Sequence, residues 1–503
     1  MSSYSSLYIT TRQEEAPVMD INRPGTQQIT KELDDLIKRP IHSIDPDVLA
    51  RYESEYFDAQ CTRSKELFHD AQEVIPGGVQ HNLAFNHPFP LTFTRAEGAK
   101  LYDADGNEYL DFLQAGGPTV LGSNPPEIRE KIEEVLDNSG PSTGLLHEFE
   151  VKISRLVADL VPSVEQLRMF NSGSEACSVA ARIARLATGH KHILKMGGAY
   201  HGWSDQLAYG IRIPGSKFTQ AKGIPLTTFT FTDEFFPGSL ESLEKKLKAK
   251  RLTGGTAAIF IEPVGPESGT RPISHEFILG ARELADKYGA LLIFDEVVTA
   301  FRLSEHGVQY LYGVTPDLTI FGKVIAGGYP GAGGIGGPKK YMQYLSAGIH
   351  ADSKVKKALA GGTMAGTPLS AAAGYYTLKA IAETGACQKA SDMGDRLTDG
   401  LREIIQRRRL PFVAFNQGSI CHLETVGTMH FSIDWSKPWT IPHVIKETGK
   451  RKTEMEHMGA AYMAEGIVTL AGSRLYTSAA YTPDLIDDAL RRFDKIFDSV
   501  VTL

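Results

Sequence analysis

Two ionisable residues stand where two short apolar runs of the sequence end. Residues 291–294 run into Asp295, and residues 318–321 run into Gly322 and Lys323. Runs this short, and this rich in β-prone residues, predict buried strands of a parallel sheet. In open α/β sheets, ligands bind just beyond the carboxyl ends of the strands. The sequence therefore predicts that a carboxylate and an amine lie at a ligand site.

A carboxylate and a lysine in this arrangement suit pyridoxal phosphate. The aldehyde of this cofactor forms a Schiff base with a lysine, and its ring nitrogen needs an acidic partner to stay protonated as part of an electron sink. The alternative interpretation is that Asp295 only caps a helix and that Lys323 lies on the surface. For either residue taken alone this alternative is favoured, so the remaining motifs must decide.

A third predicted strand, residues 166–170, leads into Ser172, Gly173 and Ser174 at the start of a predicted helix. A Gly/Ser turn at a helix N-terminus offers free N–H groups and the positive end of the helix dipole, which together favour a phosphate. The alternative is that Ser174 simply caps the helix.

Two more predicted strands, 192–196 and 257–261, end in residues that suit a flat cofactor. Tyr200 and His201 follow the first, and an aromatic ring at a strand end can stack on a heterocycle. A tyrosine in the core is the commoner case for any single Tyr. Acids at positions 262 and 267 follow the second strand, where they could orient the ring hydroxyl or a substrate group.

Glycines and a threonine complete the set. The glycine-rich residues 326–334 after Lys323 predict a flexible loop whose backbone can approach a ligand closely. Thr363 follows two glycines and offers a hydroxyl and an N–H to a phosphate. Several predicted strands thus end in polar, Gly-rich or ionisable residues of the kinds that one cofactor needs. One such end is commonplace, but the joint arrangement is hard to explain as packing alone.

The elements that position these residues alternate between strand and helix patterns. This alternation predicts βαβ units, a mostly parallel sheet and an α/β fold. Asp105-Gly106 between alternating apolar positions predicts a hairpin over residues 100–112. The helical patterns predict helices at residues 30–38, 47–71, 126–137, 149–160, 174–188, 276–288, 391–407 and 486–500.

Four segments follow from this pattern. We predict an N-terminal arm with helices at residues 1–75 and the N-terminal part of a small domain at residues 76–125. Residues 126–377 are predicted to form a large cofactor-binding domain with the parallel sheet. Residues 378–503 are predicted to form a smaller C-terminal α+β domain.

Composition excludes several classes of partner and compartment. The chain has 503 residues, a net charge of −7 and no long basic block, which argues against nucleic acid and anionic membranes as partners. Its 4 cysteines are scattered without metal-ligand spacing, which favours a reduced intracellular protein. The N-terminus lacks an apolar signal region, and no apolar run approaches the roughly 20 residues of a membrane span. We therefore expect a cytoplasmic enzyme with small-molecule substrates and no metal.

Six ordered motifs carry a family resemblance: NSGSEA at 171–176, YHG at 200–202, EPV at 262–264, DEV at 295–297, GK at 322–323 and GGT at 361–363. Together they resemble the class III aminotransferases, which are pyridoxal-phosphate enzymes of fold type I. The similarity runs from about residue 76 to the C-terminus. It is closest to the branch of glutamate-1-semialdehyde aminomutase and its transaminase relatives.

The resemblance implies a role for each matching position. Lys323 would hold the cofactor and then move a proton, and Asp295 would pair with the ring nitrogen. Val297 and Tyr200 would pack on the two faces of the ring. Thr363 would reach the phosphate of a neighbouring subunit, which implies a homodimer with shared active sites. The remaining matching positions would complete the cofactor site: Ser172, Gly173, Ser174, His201 and Glu267.

Two departures from the aminomutase favour a simple transaminase. The aminomutase carries an Arg shortly after its Pro-Gly-Gly-Val turn to hold the substrate carboxylate, and residues 79–85 contain none here. It also has a Glu near its C-terminus, and residues 470–482 contain none here. We therefore predict transfer of an amino group between an amino acid or amine and a keto acid, ketone or aldehyde. The alternative is another enzyme of the same family: an aminomutase, an amino-acid racemase, or an ammonia- or phospho-lyase.

Arg474 lies in the second of these stretches. Some related β-amino-acid transaminases are similar here, with an Arg that binds the substrate carboxylate. We predict this role for Arg474, because a bidentate guanidinium suits a carboxylate. The alternative is a surface Arg paired with Asp484 or Asp487.

Two alternative interpretations of the function, each from a different class of protein, are disfavoured. A nicotinamide enzyme would show G-x-G-x-x-G after its first βα turn, with an acid about 20 residues further on, and this pattern is missing. A non-catalytic binding or scaffold protein would leave the six-motif set unexplained.

Overall fold

The computed structural model of the chain describes residues 21–346 and 356–503. Most of the predicted N-terminal arm, residues 1–20, lies outside the described residues. The strands are β1 Asn22–Arg23, β2 His42–Ile44, β3 Phe93–Glu97, β4 Lys100–Asp103, β5 Glu108–Asp111, β6 Gln166–Phe170, β7 His192–Met196, β8 Thr232–Phe235, β9 Thr256–Ile261, β10 Leu291–Asp295, β11 Leu318–Gly322, β12 Gly333–Gly337, β13 Val413–Gln417, β14 Ile420–Glu424, β15 Ile467–Val468, β16 Arg474–Tyr476 and β17 Val500–Thr502.

The α-helices longer than four residues are numbered in the same way. They are α1 Thr26–Leu36, α2 Pro46–Arg51, α3 Thr62–Val74, α4 Pro126–Ser139, α5 Glu148–Leu160, α6 Gly173–Thr188, α7 Leu240–Lys250, α8 His275–Tyr288, α9 Val308–Tyr312, α10 Pro368–Thr384, α11 Ala386–Arg408, α12 Ile441–Ala464 and α13 Pro483–Phe497. Within the residues that the structure describes, no helix is both long and apolar enough to cross a membrane.

The chain divides into two compact units. One contains Glu130–Thr384, and the other joins Asn22–Arg129 to Gly385–Leu503. The first unit holds a seven-stranded sheet in the order β6-β12-β11-β10-β9-β7-β8. The neighbours from β11 to β8 pair in parallel, and only β12 runs antiparallel, to β6 on one side and to β11 on the other. The predicted mostly parallel sheet is thus confirmed.

The central strands are buried on both faces of this sheet. All residues of β9, β10 and β11 are buried. Successive side chains alternate between two apolar clusters, so that Phe294 packs in one cluster and its neighbour Ile293 in the other. A strand covered on both faces reads as a continuous apolar run rather than as an alternating one. This is why the sequence predicts these strands so well.

Strand β12 corrects the prediction of a flexible loop over residues 326–334. The strand begins at Gly333 inside that stretch and pairs along its whole length with β6. Glycine is disfavoured in strands, but in this strand neighbouring atoms leave no room for larger residues. A Cβ on Gly333 would lie 2.3 Å from the carbonyl oxygen of Ser172, and one on Gly336 would lie 2.6 Å from the Val164 side chain. The glycines therefore allow close approach within the sheet.

The second unit contains the predicted hairpin. Strands β4 and β5 pair antiparallel around Asp105-Gly106, and they continue into a four-stranded sheet with β3 and β15. A second sheet of this unit has the order β1-β13-β14-β16.

One predicted helix of this unit, residues 47–71, is interrupted. Asp45 caps α2, since its Oδ1 accepts from the N–H of Asp47 at 2.8 Å. The chain then forms a π-helix at Tyr52–Asp58 before α3 begins. The helical pattern of the sequence contains neither Gly nor Pro here, so nothing in it marks the break.

Candidate active site

The first unit places Asp295 and Lys323 at the ends of neighbouring parallel strands. Strand β10 ends at Asp295, whose partner in β11 is Ile320, and β11 ends at Gly322 just before Lys323. The half-buried Lys323 has a φ of 47°, in the left-handed region that non-glycine residues rarely occupy. Such strained backbone clusters at functional sites, where the surrounding structure holds it in place. The chain thus turns sharply at the lysine.

The buried Asp295 carboxylate receives hydrogen bonds at both oxygens. Oδ2 accepts from Nδ1 of His201 at 2.7 Å and from the Cys177 thiol at 3.4 Å. Oδ1 accepts from the N–H of Val297 at 3.1 Å. Burial lowers the pKa of His201, so its ring is neutral at neutral pH and Nδ1–H is the donor. The side chain of Asp295 is therefore fixed in direction.

Cys177, His201 and Asp295 also form a potential metal-ligand cluster, with ligand atoms within 4.8 Å of one another. Burial raises the pKa of the Cys177 thiol well above its usual value, so the sulfur keeps its proton. A metal ligand would be the thiolate. We therefore interpret these contacts as support for Asp295. No sequence motif singles out Cys177, which is a buried residue early in α6.

Glu262 collects three backbone donors beyond the end of β9. Its carboxyl accepts from the N–H groups of Tyr200 at 2.9 Å, Glu267 at 3.1 Å and Ser268 at 2.8 Å. Glu267 and Ser268 both have left-handed backbone, with φ of 53° and 60°, which forms the tight turn around this carboxyl. Burial, followed by the negative charge of Asp295, raises the pKa of Glu262 to about 8.

The predicted phosphate turn lies at the N-terminus of α6. Ser172, not Ser174, is the cap, because its Oγ accepts from the N–H of Glu175 at 3.3 Å. The alternative in which Ser174 caps the helix is therefore wrong. Ser174 instead lies in the first turn, where N–H groups have no partner within the helix. This turn can offer both backbone N–H groups and a hydroxyl to an anion.

Val297 packs between this turn and the end of β11. A Cβ on Gly173 would lie 2.7 Å from one Val297 methyl group, and a Cβ on Gly322 would lie 2.6 Å from the other. Both glycines are thus required for Val297 to reach its position. Val297 therefore joins the predicted phosphate turn to the strand that carries Lys323.

Tyr200 and the residues after it lie against the start of α6. A Cβ on Gly202 would lie 2.3 Å from Oγ of Ser174. The Tyr200 side chain is about half exposed, with 45% of its surface accessible. Burial raises the pKa of Tyr200, and a hydrogen bond with Ser174 opposes that shift. The structure thus brings Tyr200, His201, Glu267 and the phosphate turn together within one unit.

Thr363 lies in the same unit as this group of contacts, and Arg474 lies in the other unit. Thr363 is exposed and follows Gly362, where a Cβ would lie 2.7 Å from Nδ2 of Asn171. Arg474 begins β16 in the other unit, where its positive charge opposes the rise in the pKa of the buried Glu424. Asp487, one suggested partner of Arg474, is bound instead by Arg396 at 2.7 Å and 2.8 Å.

These residues fit pyridoxal phosphate. The buried Asp295 supplies a fixed carboxylate, the start of α6 supplies anion-binding groups, and Lys323 supplies an amine at the next strand end. Gly173 and Gly322 leave no room for side chains of their own beside Val297. A flat pyridine ring that carries an aldehyde and a phosphate group could use all of these groups.

Comparisons with known proteins agree with this chemistry. The family Aminotransferase class-III matches residues 83–470. The glutamate-1-semialdehyde 2,1-aminomutase of Legionella pneumophila (strain Paris) is 37% identical over 366 residues, which cover 71% of this chain and 82% of that protein.

Two solved structures show the same fold. One is a transaminase with PLP bound, at 25% identity and a TM-score of 0.75, covering 87% of this chain and 97% of that one. The other is a beta-phenylalanine aminotransferase from Variovorax paradoxus, at 26% identity and a TM-score of 0.75, covering 90% and 97%. The chain belongs to the class III aminotransferases, the pyridoxal-phosphate enzymes of fold type I.

Proposed function

We propose that the protein is an aminotransferase that moves an amino group from an amino acid or amine to a keto acid, ketone or aldehyde. The observation that carries this proposal is the placement of Asp295 and Lys323 at the ends of the paired strands β10 and β11. The Glu130–Thr384 unit is the cofactor-binding domain of this proposal.

Each cofactor contact is assigned to a residue of the site. Asp295 would pair with the ring nitrogen, and His201 keeps Asp295 oriented through its 2.7 Å hydrogen bond. Val297 and Tyr200 would cover the two faces of the ring. Glu267 would orient the ring hydroxyl or the substrate. Groups of the α6 turn would bind the phosphate: Ser172, Gly173 and Ser174.

Lys323 is the residue that handles protons. Bound pyridoxal phosphate supplies an electron sink for the charge left on the substrate when its α-proton departs. Lys323 Nζ would hold the cofactor and would accept the α-proton of the substrate. Positioned proton transfer of this kind typically accelerates a reaction by roughly 10²–10⁴-fold.

Substrate binding and assembly complete the proposal. Arg474 binds the carboxylate of an amino-acid substrate, a role that the beta-phenylalanine aminotransferase neighbour makes relevant to β-amino acids. Thr363 of a second copy contributes to the phosphate site, so the enzyme is a homodimer with shared active sites.

Aminomutase activity is the second candidate, because the aminomutase of Legionella pneumophila is 37% identical to this chain. Against it, residues 79–85 contain no Arg and residues 470–482 contain no Glu. Those are the two positions where the aminomutase resemblance fails.

Product analysis in a single turnover separates the two candidates. The cofactor-loaded enzyme is mixed with one donor at a time, namely glutamate, alanine, a β-amino acid and a simple amine. An aminotransferase releases one free keto product per active site and keeps the amino group on the cofactor. An aminomutase exchanges the amino and carbonyl groups within one molecule, so it releases no free keto product from any of these donors, and that result would overturn the proposal. Lys323→Ala serves as the control that releases no product.

A further inference from the structure

A fully buried lysine lies just behind the site, in strand β7. Lys195 has 0% of its surface exposed, and its Nζ donates to the carbonyl oxygen of Ala199 at 2.7 Å and to that of Tyr209 at 2.6 Å. These two carbonyls bracket the segment that carries Tyr200 and His201. Neither acceptor is a side chain, so the sequence offers no partner from which this role could be predicted.

The first of these bonds acts on the peptide group that leads into Tyr200. The carbonyl of Ala199 and the N–H of Tyr200 belong to one peptide group, which is planar. Lys195 binds its oxygen, and Glu262 accepts from its N–H at 2.9 Å. The plane is therefore held at both edges, one by a buried cation and the other by a buried acid. Fixing this plane fixes the direction in which the backbone enters Tyr200, from which its side chain extends.

A buried acid lies beside the lysine and binds the chain a few residues beyond this segment. Glu234 stands directly opposite Lys195 in the pairing of β7 with β8. Its carboxylate accepts from the N–H groups of Gly215 and Lys217, both at 3.0 Å. Burial lowers the pKa of Lys195 to about 8, and the negative charge of Glu234 opposes that shift. The acid therefore helps to keep the lysine charged.

We propose that Lys195 and Glu262 clamp the Ala199–Tyr200 peptide group and that Lys195 is thereby a positioning residue for Tyr200 on the face of the cofactor. This inference rests on the role of Tyr200 proposed above. Lys195 touches neither cofactor nor substrate in this account, and it acts only through the backbone.

Arg451 provides a matched control for loss of a buried cation. It is 3% exposed and donates to the backbone carbonyls of Val426 at 2.9 Å, Ile37 at 3.1 Å and Arg39 at 3.0 Å, all in the other unit. Lys195→Met and Arg451→Met each leave buried carbonyls without their charged donor. Both should lower the Tm, because such groups are costly to leave unpaired.

The test compares these two variants as pyridoxal-phosphate-loaded enzymes. Lys195→Met should lose bound cofactor on dilution at least about tenfold faster than the wild type, since charge-assisted hydrogen bonds are worth about that factor or more. The circular dichroism of its visible cofactor band should weaken. Arg451→Met should keep both properties at a similar loss of Tm. Wild-type values for Lys195→Met would overturn the clamp.

Tyr200→Ala separates failure of the clamp from failure of the proposed role of Tyr200. If Tyr200→Ala changes the cofactor band and Lys195→Met does not, the clamp alone is wrong. If Tyr200→Ala leaves the band and the cofactor release unchanged, the role of Tyr200 is wrong and the clamp loses its purpose.

Amide exchange in the wild-type holoenzyme tests the clamp even if Lys195→Met does not fold. The Tyr200 amide should exchange at least about tenfold more slowly than the amide of the exposed Trp203, because local opening must break the clamp first. Equal exchange of the two amides would overturn the proposal.

Discussion

At the scale of single residues, the carboxylate of Asp295 is held at both oxygens by donors of the chain itself. His201 and Cys177 donate to one oxygen and the backbone of Val297 to the other. A group fixed in this way does not need to reorganise when charge develops on a ligand, which is where enzymes gain much of their acceleration. The negative charge, rather than the shape of the side chain, should therefore matter most.

Asp295→Asn tests this requirement for charge. The amide keeps the shape but cannot stabilise a protonated ring nitrogen, so the rate of the first half-reaction should fall by at least about 10²-fold. The visible band of bound cofactor should persist because Lys323 is intact. Stopped-flow absorbance with an amino donor measures both. The control is Asp487→Asn, which removes an exposed acid paired with Arg396. A rate loss below about threefold for Asp295→Asn would contradict the role of Asp295 as the partner of the ring nitrogen.

The raised pKa of Glu262 predicts that the stability of the protein depends on pH. Its pKa is raised to about 8 from 4.5, chiefly by burial. Between these values the folded chain keeps a proton that the unfolded chain has released, so the free energy of unfolding falls as pH rises. Glu262→Gln should remove that part of the fall.

Urea unfolding at several pH values checks this expectation. The free energy of unfolding of Glu262→Gln, relative to the wild type, should increase from about pH 5 to about pH 8. A relative stability that stays constant over this window would contradict the raised pKa. Taking the difference between the two proteins cancels the titration of other buried acids.

At the scale of elements, the site depends on how closely β11 approaches the residues after β10. A Cβ on Gly322 would lie 2.6 Å from a Val297 methyl group. Gly322→Ala should therefore destabilise the protein by about 1–3 kcal/mol through overpacking. Cofactor affinity should fall as well, because Lys323 is the next residue.

A double-mutant cycle identifies the cause of this loss. Shortening the neighbour in Val297→Ala should recover part of the stability lost in Gly322→Ala, since the two sites are coupled by contact. Gly449→Ala is the control, because its added Cβ meets nothing within 4 Å and it lies in the exposed part of α12. Additive losses in the double variant would contradict the steric account.

The elements differ in how well the sequence predicts them, for physical reasons. Strands β10 and β11 lie where the sequence places them, because apolar runs between polar turns are typical of buried strands. Strand β12 is missed because four of its five residues are glycines, whose value here is close approach rather than propensity. Strand β8 is missed because TDEF carries three polar residues and lies at the edge of the sheet.

The residues of the site also divide into those that sequence motifs predict and those that only the fold reveals. Motifs lead to Asp295, Lys323 and the α6 turn, because cofactor chemistry demands particular side chains at strand ends. Lys195 is missed because it acts on a backbone carbonyl, which any residue type can supply. Cys177 is missed because it acts on a side chain that is far away in sequence. Such contacts have no fixed spacing along the chain, so only the fold reveals them.

At the scale of the whole molecule, the proposed shared active site makes a prediction about mixed subunits. The Lys323→Ala and Thr363→Ala variants are co-assembled to give hybrid dimers that contain one subunit of each variant. If Thr363 serves the site of its partner, each hybrid has one site with both defects and one site with neither. An equal random mixture should then regain about a quarter of wild-type turnover. If Thr363 serves its own subunit, every site carries one defect and the mixture regains nothing.

Lys323 holds the cofactor in the proposed enzyme, and one chemical measurement tests this role directly. The pyridoxal-phosphate-loaded protein is reduced with borohydride, digested, and searched by mass spectrometry for the lysine that carries the pyridoxyl group. We predict a single labelled peptide, with the label on Lys323, and no label once an amino donor has displaced the lysine before reduction. A label on another lysine, or no stoichiometric label on the loaded protein, would contradict the account.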